Sequence, residues 1–230
     1  MNTGSRTEKI LRTQTTDIKP AYFGFFMHLG IMAIVGKRNI YINGEENIPL
    51  PERSVIVAPT HHRPVSDVLV TGYAVRKHKH INFIAKEELA EIPLLGRLIF
   101  KKLGAISVNR ENPKSDTLRK SLYVLDNGGW LGIFPQGTSD TSGEISEIKS
   151  GPAKIAVRKN ALILPMSLIT DPRSSRLRPD VHINIGTVLD PRSEQYMSLS
   201  RQGKEESLNS QLREDLINLQ RETLQAIPTY

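Results

Sequence analysis

Short β-type runs alternate with helical patterns along most of the chain, and this alternation limits its fold more than any other feature. The runs predicted as strands are Asn39–Asn43, Ser54–Ala58, Ile81–Ala85, Ala105–Asn109, Leu131–Phe134, Leu162–Leu168 and Val181–Val188. Helices are predicted between them at Pro64–Lys77, Pro93–Lys102, Ser115–Asn127 and Gly151–Lys159. Such alternation favours an α/β fold with a mixed, largely parallel sheet flanked by helices.

Two further segments refine this prediction. Leu208, Leu212, Leu216 and Leu219 follow helical spacing with mixed charges between them, which predicts an amphipathic helix docked on the core. Pro165 interrupts the apolar strand Leu162–Leu168, and a proline lacks the N–H that a central strand needs. We therefore expect this strand to lie at a sheet edge or to carry a bulge.

Composition narrows the classes of function. The chain has 230 residues, enough for one α/β domain with a full core, and no cysteine, which excludes disulfides, thiolate zinc sites and a cysteine nucleophile. Its net charge of +7 favours an anionic partner or a soluble basic surface. Aromatic residues make up only 6% of the chain and do not alternate with basic residues, so a nucleic-acid-binding module is not expected.

The N-terminal segment contains an apolar run, residues 21–35, after a polar stretch. The run is shorter than the roughly 20 residues of a membrane span, and His28 interrupts it. No small-residue cleavage site follows, so export is not expected. A core helix, a marginal span and a helix in the membrane interface all fit. Aromatic residues at one end and basic residues on both sides favour a helix in the membrane interface.

We divide the chain into a membrane-associated segment, residues 1–38, and a main domain, residues 39–230.

The stretch from Ala58 to Asp67 is the strongest candidate for chemistry. His62 stands five residues before Asp67, a spacing that would place the two side chains roughly 140° apart on one helix. They can meet only if His62 lies on a loop and Asp67 lies in the first turn of the next helix. Pro64 suits the first position of such a helix. The prediction is an imidazole oriented by a carboxylate, as in a catalytic triad without its nucleophile.

Other polar residues follow predicted strands. Arg110 ends the strand of Leu103–Arg110, and Gly137 lies in the Pro/Gly turn of Gly132–Thr138. Ligands of open α/β sheets bind beyond the carboxyl ends of the strands, where His62 also falls. A guanidinium such as that of Arg110 binds phosphate in a bidentate fork, although a plain strand-end arginine also fits.

Taken in order, these segments resemble the glycerolipid acyltransferase family. The matching blocks are His62 with Asp67, Gly104 through Arg110, Phe134-Pro-Gln-Gly-Thr-Ser139, and Pro165, together with the run that begins at Lys149. The resemblance covers roughly residues 40 to 190 and implies a glycerol-3-phosphate acyltransferase-like fold for the main domain, which is then an acyltransferase domain.

The resemblance also implies a reaction. An acyl group would pass from acyl-CoA or acyl-carrier protein to the hydroxyl of a lysolipid, with His62 as general base and Asp67 as its orienter. Backbone N–H groups near Gly137 would stabilise the oxyanion. The acceptor and its phosphate would be bound by Arg110, Gln136, Gly137, Thr138 and Lys149. His61 is interpreted as a neighbour of the base. The resemblance implies no metal and no cofactor other than the thioester co-substrate.

The chain departs from the family pattern at Gln136, where the family has glutamate, and at Ser139, where it has arginine. Losing that arginine weakens the expected grip on a phosphomonoester. The favoured acceptor is 1-acyl-glycerol-3-phosphate, which would give phosphatidic acid. Another lysophospholipid or a lysoglycolipid, or a non-catalytic protein that binds anionic lipid, are the alternatives. The expected location is the cytoplasmic face of a membrane, as a peripheral or monotopic protein, and the oligomeric state is left open.

Overall fold

The computed structural model describes residues 29, 39–61, 63–88, 105–108, 115–137, 144–145, 147–171, 174 and 179–227. The strands are β1 (Ile40–Asn43), β2 (Val55–Pro59), β3 (Ile81–Lys86), β4 (Ile106–Val108), β5 (Trp130–Gly132), β6 (Leu162–Thr170) and β7 (Val181–Ile185). The α-helices are α1 (Pro64–Ala74), α2 (Ser115–Asp126), α3 (Gly151–Lys159), α4 (Glu194–Met197) and α5 (Arg201–Ala226), and a short 3-10 helix covers Glu45–Asn47.

The strands form one seven-stranded sheet in the order β1-β7-β6-β2-β5-β3-β4. Every neighbouring pair is parallel except β6 and β7, which run antiparallel. The order places β2, which precedes the His62–Asp67 stretch, between β5 and β6 at the middle of the sheet. The predicted α/β class with a mixed, largely parallel sheet is confirmed.

Both faces of β2 are buried, as expected for an interior parallel strand covered by helices on each side. Successive residues of β2 point to opposite faces: Val55 and Val57 pack in the cluster that contains α1 residues, whereas Ile56 and Ala58 pack against α2, α3 and α5. This is why β2 reads as a continuous apolar run without alternation. A chain segment buried on both sides holds its carboxyl end in a fixed position.

The long helix α5 docks on the sheet through the predicted stripe. Leu208, Leu212 and Leu216 are fully buried and Leu219 nearly so. The helix begins at the cap residue Ser200, whose hydroxyl oxygen accepts a hydrogen bond from the N–H of Gly203 at 3.2 Å. The prediction of a docked amphipathic helix is confirmed.

Pro165 lies in β6, an interior strand, at a bulge in its pairing with β7. Met166 faces Ile185, but Ile163 faces Leu189, so three residues on one side oppose two on the other. The carbonyl of Pro165 accepts from the N–H of Gly186 at 3.0 Å, and the reciprocal bond would need an N–H that proline lacks. Residues 186–188 oppose Leu164 and Pro165, so the extra residue lies on the segment that follows β7. The irregular pairing expected at this proline forms, but the bulge is carried by the partner of β6 and not by β6 itself.

The helix Gly151–Lys159 has its predicted bounds, and several other predicted boundaries differ from the structure by a few residues. Helix α1 ends at Ala74 instead of Lys77, and β5 covers Trp130–Gly132 instead of Leu131–Phe134. The predicted helix Pro93–Lys102 and, apart from Leu29, the apolar run 21–35 lie outside the described residues. In the part of the chain that the structure describes, no helix is both long and apolar enough to cross a membrane.

Candidate active site

The candidate site lies where β2 and β5 end side by side. The two strands are parallel neighbours, with Val55 opposite Trp130 and Val57 opposite Gly132. Their carboxyl ends therefore reach the same edge of the sheet, although the residues that follow them are far apart in sequence. This edge holds His61 after β2 and the turn Phe134–Gly137 after β5.

Asp67 is placed by the start of α1. The helix begins at Pro64, and Asp67 lies in its first turn, both as predicted. The carboxylate oxygen Oδ2 accepts the backbone N–H of Arg63, the residue before the helix, at 2.6 Å. A carboxylate here caps a free N–H and opposes the positive end of the helix dipole. Asp67 is nevertheless only 5% exposed, so it faces the interior of the site.

The imidazole that contacts Asp67 among the described residues is that of His61. Its Nδ1 lies 3.1 Å from Asp67 Oδ2. An ionised carboxylate only accepts hydrogen bonds, so this contact is a hydrogen bond when the proton of His61 lies on Nδ1. The ring stacks on Phe134 with 4.0 Å between ring centroids, and His61 is only 6% exposed. We had interpreted His61 as a mere neighbour of the base, and the structure gives it a direct contact with the orienting carboxylate.

The turn after β5 joins the two parts of the site. The side-chain Oε1 of Gln136 accepts the backbone N–H of His61 at 2.7 Å. The N–H of Gly137 donates to the carbonyl of Phe134 at 3.0 Å and closes a tight turn, with Gly137 at φ +75°. That conformation favours glycine. Since its N–H is used within the turn, Gly137 itself does not donate to an oxyanion.

Lys149 lies against the same turn. Its backbone N–H donates to the carbonyl of Pro135 at 2.7 Å. A Cβ built on Gly137 would stand 3.4 Å from the Cγ of Lys149, so the lysine stem passes directly over the glycine. The side chain as a whole is exposed. The arrangement leaves an ammonium available to an anion at the rim of the site.

The structure thus brings together four of the residues predicted from sequence, namely Asp67, Gln136, Gly137 and Lys149. His62, Arg110 and Thr138 lie outside the described residues, and their roles remain predictions. Sequence reasoning missed the parts played by His61 and Phe134. The doubled histidine was the available signal, but spacing alone favours His62 and says nothing about a contact to residue 136.

A model of the Acyltransferase family matches residues 39–169, more than half of the chain. The chain belongs to this family. The matched range begins at β1 and ends within β6, so it includes every part of the candidate site.

Two relatives of the chain carry the same name. The chain is 32% identical over 135 residues to a 1-acyl-sn-glycerol-3-phosphate acyltransferase of Bacillus subtilis, covering 59% of this chain and 64% of that protein. It is 31% identical over 131 residues to one of Borreliella burgdorferi, covering 56% of this chain and 50% of that protein. The match therefore spans half to two thirds of the length of these relatives.

The fold has a solved counterpart. The crystal structure of a 1-acyl-sn-glycerophosphate (LPA) acyltransferase from Thermotoga maritima superimposes with a TM-score of 0.61, covering 98% of this chain and 91% of that one. The sequences are 23% identical, so this likeness concerns the fold. It confirms the glycerol-3-phosphate acyltransferase-like architecture expected from the ordered blocks.

Proposed function

We propose that this member of the Acyltransferase family moves a fatty acyl group from a thioester donor, acyl-CoA or acyl-carrier protein, to the hydroxyl of a lysolipid. The favoured acceptor is 1-acyl-glycerol-3-phosphate. The observation that carries the proposal is the buried carboxylate of Asp67, which the first turn of α1 holds five residues after His62 and in contact with the imidazole of His61. A buried carboxylate that orients an imidazole is an arrangement suited to general base catalysis.

In the proposed reaction the nucleophile comes from the acceptor. His62 takes the proton of the lysolipid hydroxyl while its oxygen attacks the thioester carbonyl carbon. Asp67 orients the imidazole and stabilises the imidazolium. The tetrahedral intermediate then collapses, the carbon–sulfur bond breaks, and the thiolate recovers the proton from the imidazolium. The products are an ester and a free thiol, and the protein is unchanged.

Two replacements in the family pattern bear on the acceptor. Gln136 uses its side-chain oxygen as an acceptor for the His61 N–H, a task for which an uncharged amide is sufficient. Its neutrality is therefore compatible with activity. Ser139 removes a guanidinium, and we propose that Lys149 and Arg110 supply the positive charge for the acceptor phosphate, with Thr138 beside them.

The proposal is tested by supplying the purified full-length chain with acyl-CoA or acyl-carrier protein against lysophosphatidate, other lysophospholipids and a lysoglycolipid, with products read by mass spectrometry. We expect transfer to lysophosphatidate. His62→Ala should lower the rate about 10²- to 10⁴-fold, the usual worth of a general base. The control is His78→Ala, since His78 follows α1 at the end opposite to Asp67.

Each other outcome has a definite meaning. Near wild-type transfer by a folded His62→Ala variant would contradict the mechanism. Faster transfer to a lysoglycolipid or a zwitterionic lysophospholipid would replace the favoured acceptor. Lipid binding without turnover across the whole panel would identify a non-catalytic relative instead.

A further inference from the structure

We infer that His61 is a positioning residue, which joins the carboxylate of Asp67 to the turn after β5 and so holds the orienter of the proposed base in place. We call the contacts of His61 with Asp67, Phe134 and Gln136 the clamp. The inference rests on the proposed function for its catalytic meaning, but the clamp can be measured separately.

His61 is held by three different kinds of contact. Its backbone N–H donates to Gln136 Oε1 at 2.7 Å. Its ring lies on the ring of Phe134 at 4.0 Å with 27° between their planes. Its Nδ1 meets Asp67 Oδ2 at 3.1 Å. Main chain, ring face and ring edge are therefore each fixed by another element, which leaves this side chain little rotational freedom.

The residues that contact His61 are themselves held in place. Phe134 also lies near the ring of Phe83, with 6.0 Å between ring centroids, so the surface under the imidazole continues onto β3. Gln136 sits in the turn that the Gly137 N–H closes onto Phe134. A Gln amide has a donor end and an acceptor end, and the His61 N–H selects the oxygen. These contacts of His61 therefore rest on the sheet through Phe134 and Gln136, two residues of the turn that follows β5.

The same contacts restrict the carboxylate. Oδ2 of Asp67 accepts the backbone N–H of Arg63 at 2.6 Å and lies 3.1 Å from Nδ1 of His61. Both residues lie on the short loop between β2 and α1, two positions apart. Two contacts to the same carboxylate oxygen restrict the rotation of the carboxylate plane. An orienting carboxylate acts only if its direction is fixed, because displacement of a catalytic group by about 1 Å can cost about 100-fold in rate.

The burial of His61 fits positioning more than proton transfer to a substrate. At 6% exposure, the ring is enclosed by Asp67 on one edge and Phe134 on one face. A general base must approach the acceptor hydroxyl within about 3 Å. His62, one residue further along the loop, remains the proposed base, and His61 supports it through the carboxylate.

Substitution of His61 separates a positioning role from a role as general base. In His61→Asn, the amide N–H can replace the Nδ1 donor, but nothing replaces Nε2. In His61→Leu, both nitrogens are lost while an apolar side chain still covers Phe134. We expect His61→Asn to keep kcat within about threefold, and His61→Leu to lower kcat about 10- to 100-fold with little change in KM. The matched control is His78→Leu. Circular dichroism and thermal melting identify variants that fail to fold.

Two results would overturn the inference. Loss of activity in folded His61→Asn as deep as in His62→Ala would make His61 the base. Wild-type kcat in His61→Leu would show that the clamp has no effect on the reaction.

Gln136 provides a second test through a different residue. Gln136→Leu removes the acceptor of the His61 N–H and should lower kcat as His61→Leu does. Because both variants break one clamp, their combined effect should be smaller than the product of the separate effects. Independent, multiplicative losses would contradict the coupling.

A spectroscopic measurement tests the clamp whether or not the proposed reaction occurs. In protein labelled with ¹⁵N-histidine, we expect a downfield Nδ1–H signal that His61→Asn removes and that Asp67→Asn shifts. If the wild-type protein transfers no acyl group but shows this signal, the proposed function fails and the clamp stands. If the protein is active and His61 carries its proton on Nε2, the clamp fails and the proposed function stands.

Discussion

At the scale of single residues, the site depends on which atom accepts each N–H. Asp67 Oδ2 accepts from the N–H of Arg63 and contacts Nδ1 of His61, and Gln136 Oε1 accepts from the backbone N–H of His61. A neutral amide oxygen is sufficient for the contact that Gln136 makes. The proposed place for positive charge is the exposed rim of the site, at Lys149.

Lys149→Met tests the proposed contact with the acceptor phosphate. Hydrogen bonds to charged groups contribute about 1.5–3 kcal/mol, so KM for lysophosphatidate should rise about tenfold or more. Lys77→Met removes the same charge from an exposed residue beyond the far end of α1, and should leave KM unchanged. Steady-state kinetics at fixed acyl donor give both values. An equal rise in KM for a lysolipid without a phosphomonoester would argue against phosphate recognition by Lys149.

At the scale of secondary structure elements, each helix is placed by the residues that it buries. Helix α1 carries Asp67 in its first turn because its start, at Pro64, is suited to proline. Helix α5 carries no residue of the candidate site. Its buried leucines instead pack against β6 and α3 and cover one face of the sheet.

The leucines of α5 allow a matched comparison within one helix. Leu212 is fully buried and Leu224 is 53% exposed. We expect Leu212→Ala to lower the free energy of unfolding by about 2–5 kcal/mol, because it leaves a cavity in the core. Leu224→Ala should change it by about 0.5 kcal/mol or less. Urea denaturation followed by circular dichroism measures both. Equal effects of the two substitutions would mean that α5 is not docked through this stripe.

At the scale of the whole molecule, the net charge of +7 is the property most relevant to the proposed membrane partner. A basic protein is attracted to anionic lipid at long range, and salt screens this attraction, since the Debye length falls from about 10 Å at 0.1 M to about 3 Å at 1 M.

We therefore expect the full-length chain to sediment with vesicles that contain phosphatidylserine, and this binding to weaken as salt is raised. Vesicles of phosphatidylcholine alone are the control and should bind less. Binding that is equally strong on both vesicles and insensitive to salt would contradict an electrostatic contribution. If such binding disappeared on deletion of residues 1–36, the apolar N-terminal run would be responsible instead.

The sequence by itself determined the kinds of element and much of their placement along the chain. The helical spacing of apolar residues and the runs of strand-forming residues are local properties of the sequence. Gly151–Lys159 was therefore predicted with its observed bounds, and Asp67 was predicted in the first turn of its helix. The ordered blocks identified the family because their residue types and spacing are also local. An irregular pairing at Pro165 was predicted from the one N–H that this residue lacks, although the extra residue lies on the neighbouring segment.

Only the tertiary structure decided the order of the strands and the contacts between their ends. The neighbouring positions of β2 and β5 bring His61 within 2.7 Å of Gln136, although 75 residues separate the two. Spacing along one segment cannot encode such a contact, because it depends on how distant strands pair. For the same reason the sequence paired His62 with Asp67 and treated His61 as a neighbour, whereas the structure brings His61 into contact with that carboxylate and stacks its ring on Phe134. His62 itself lies outside the described residues.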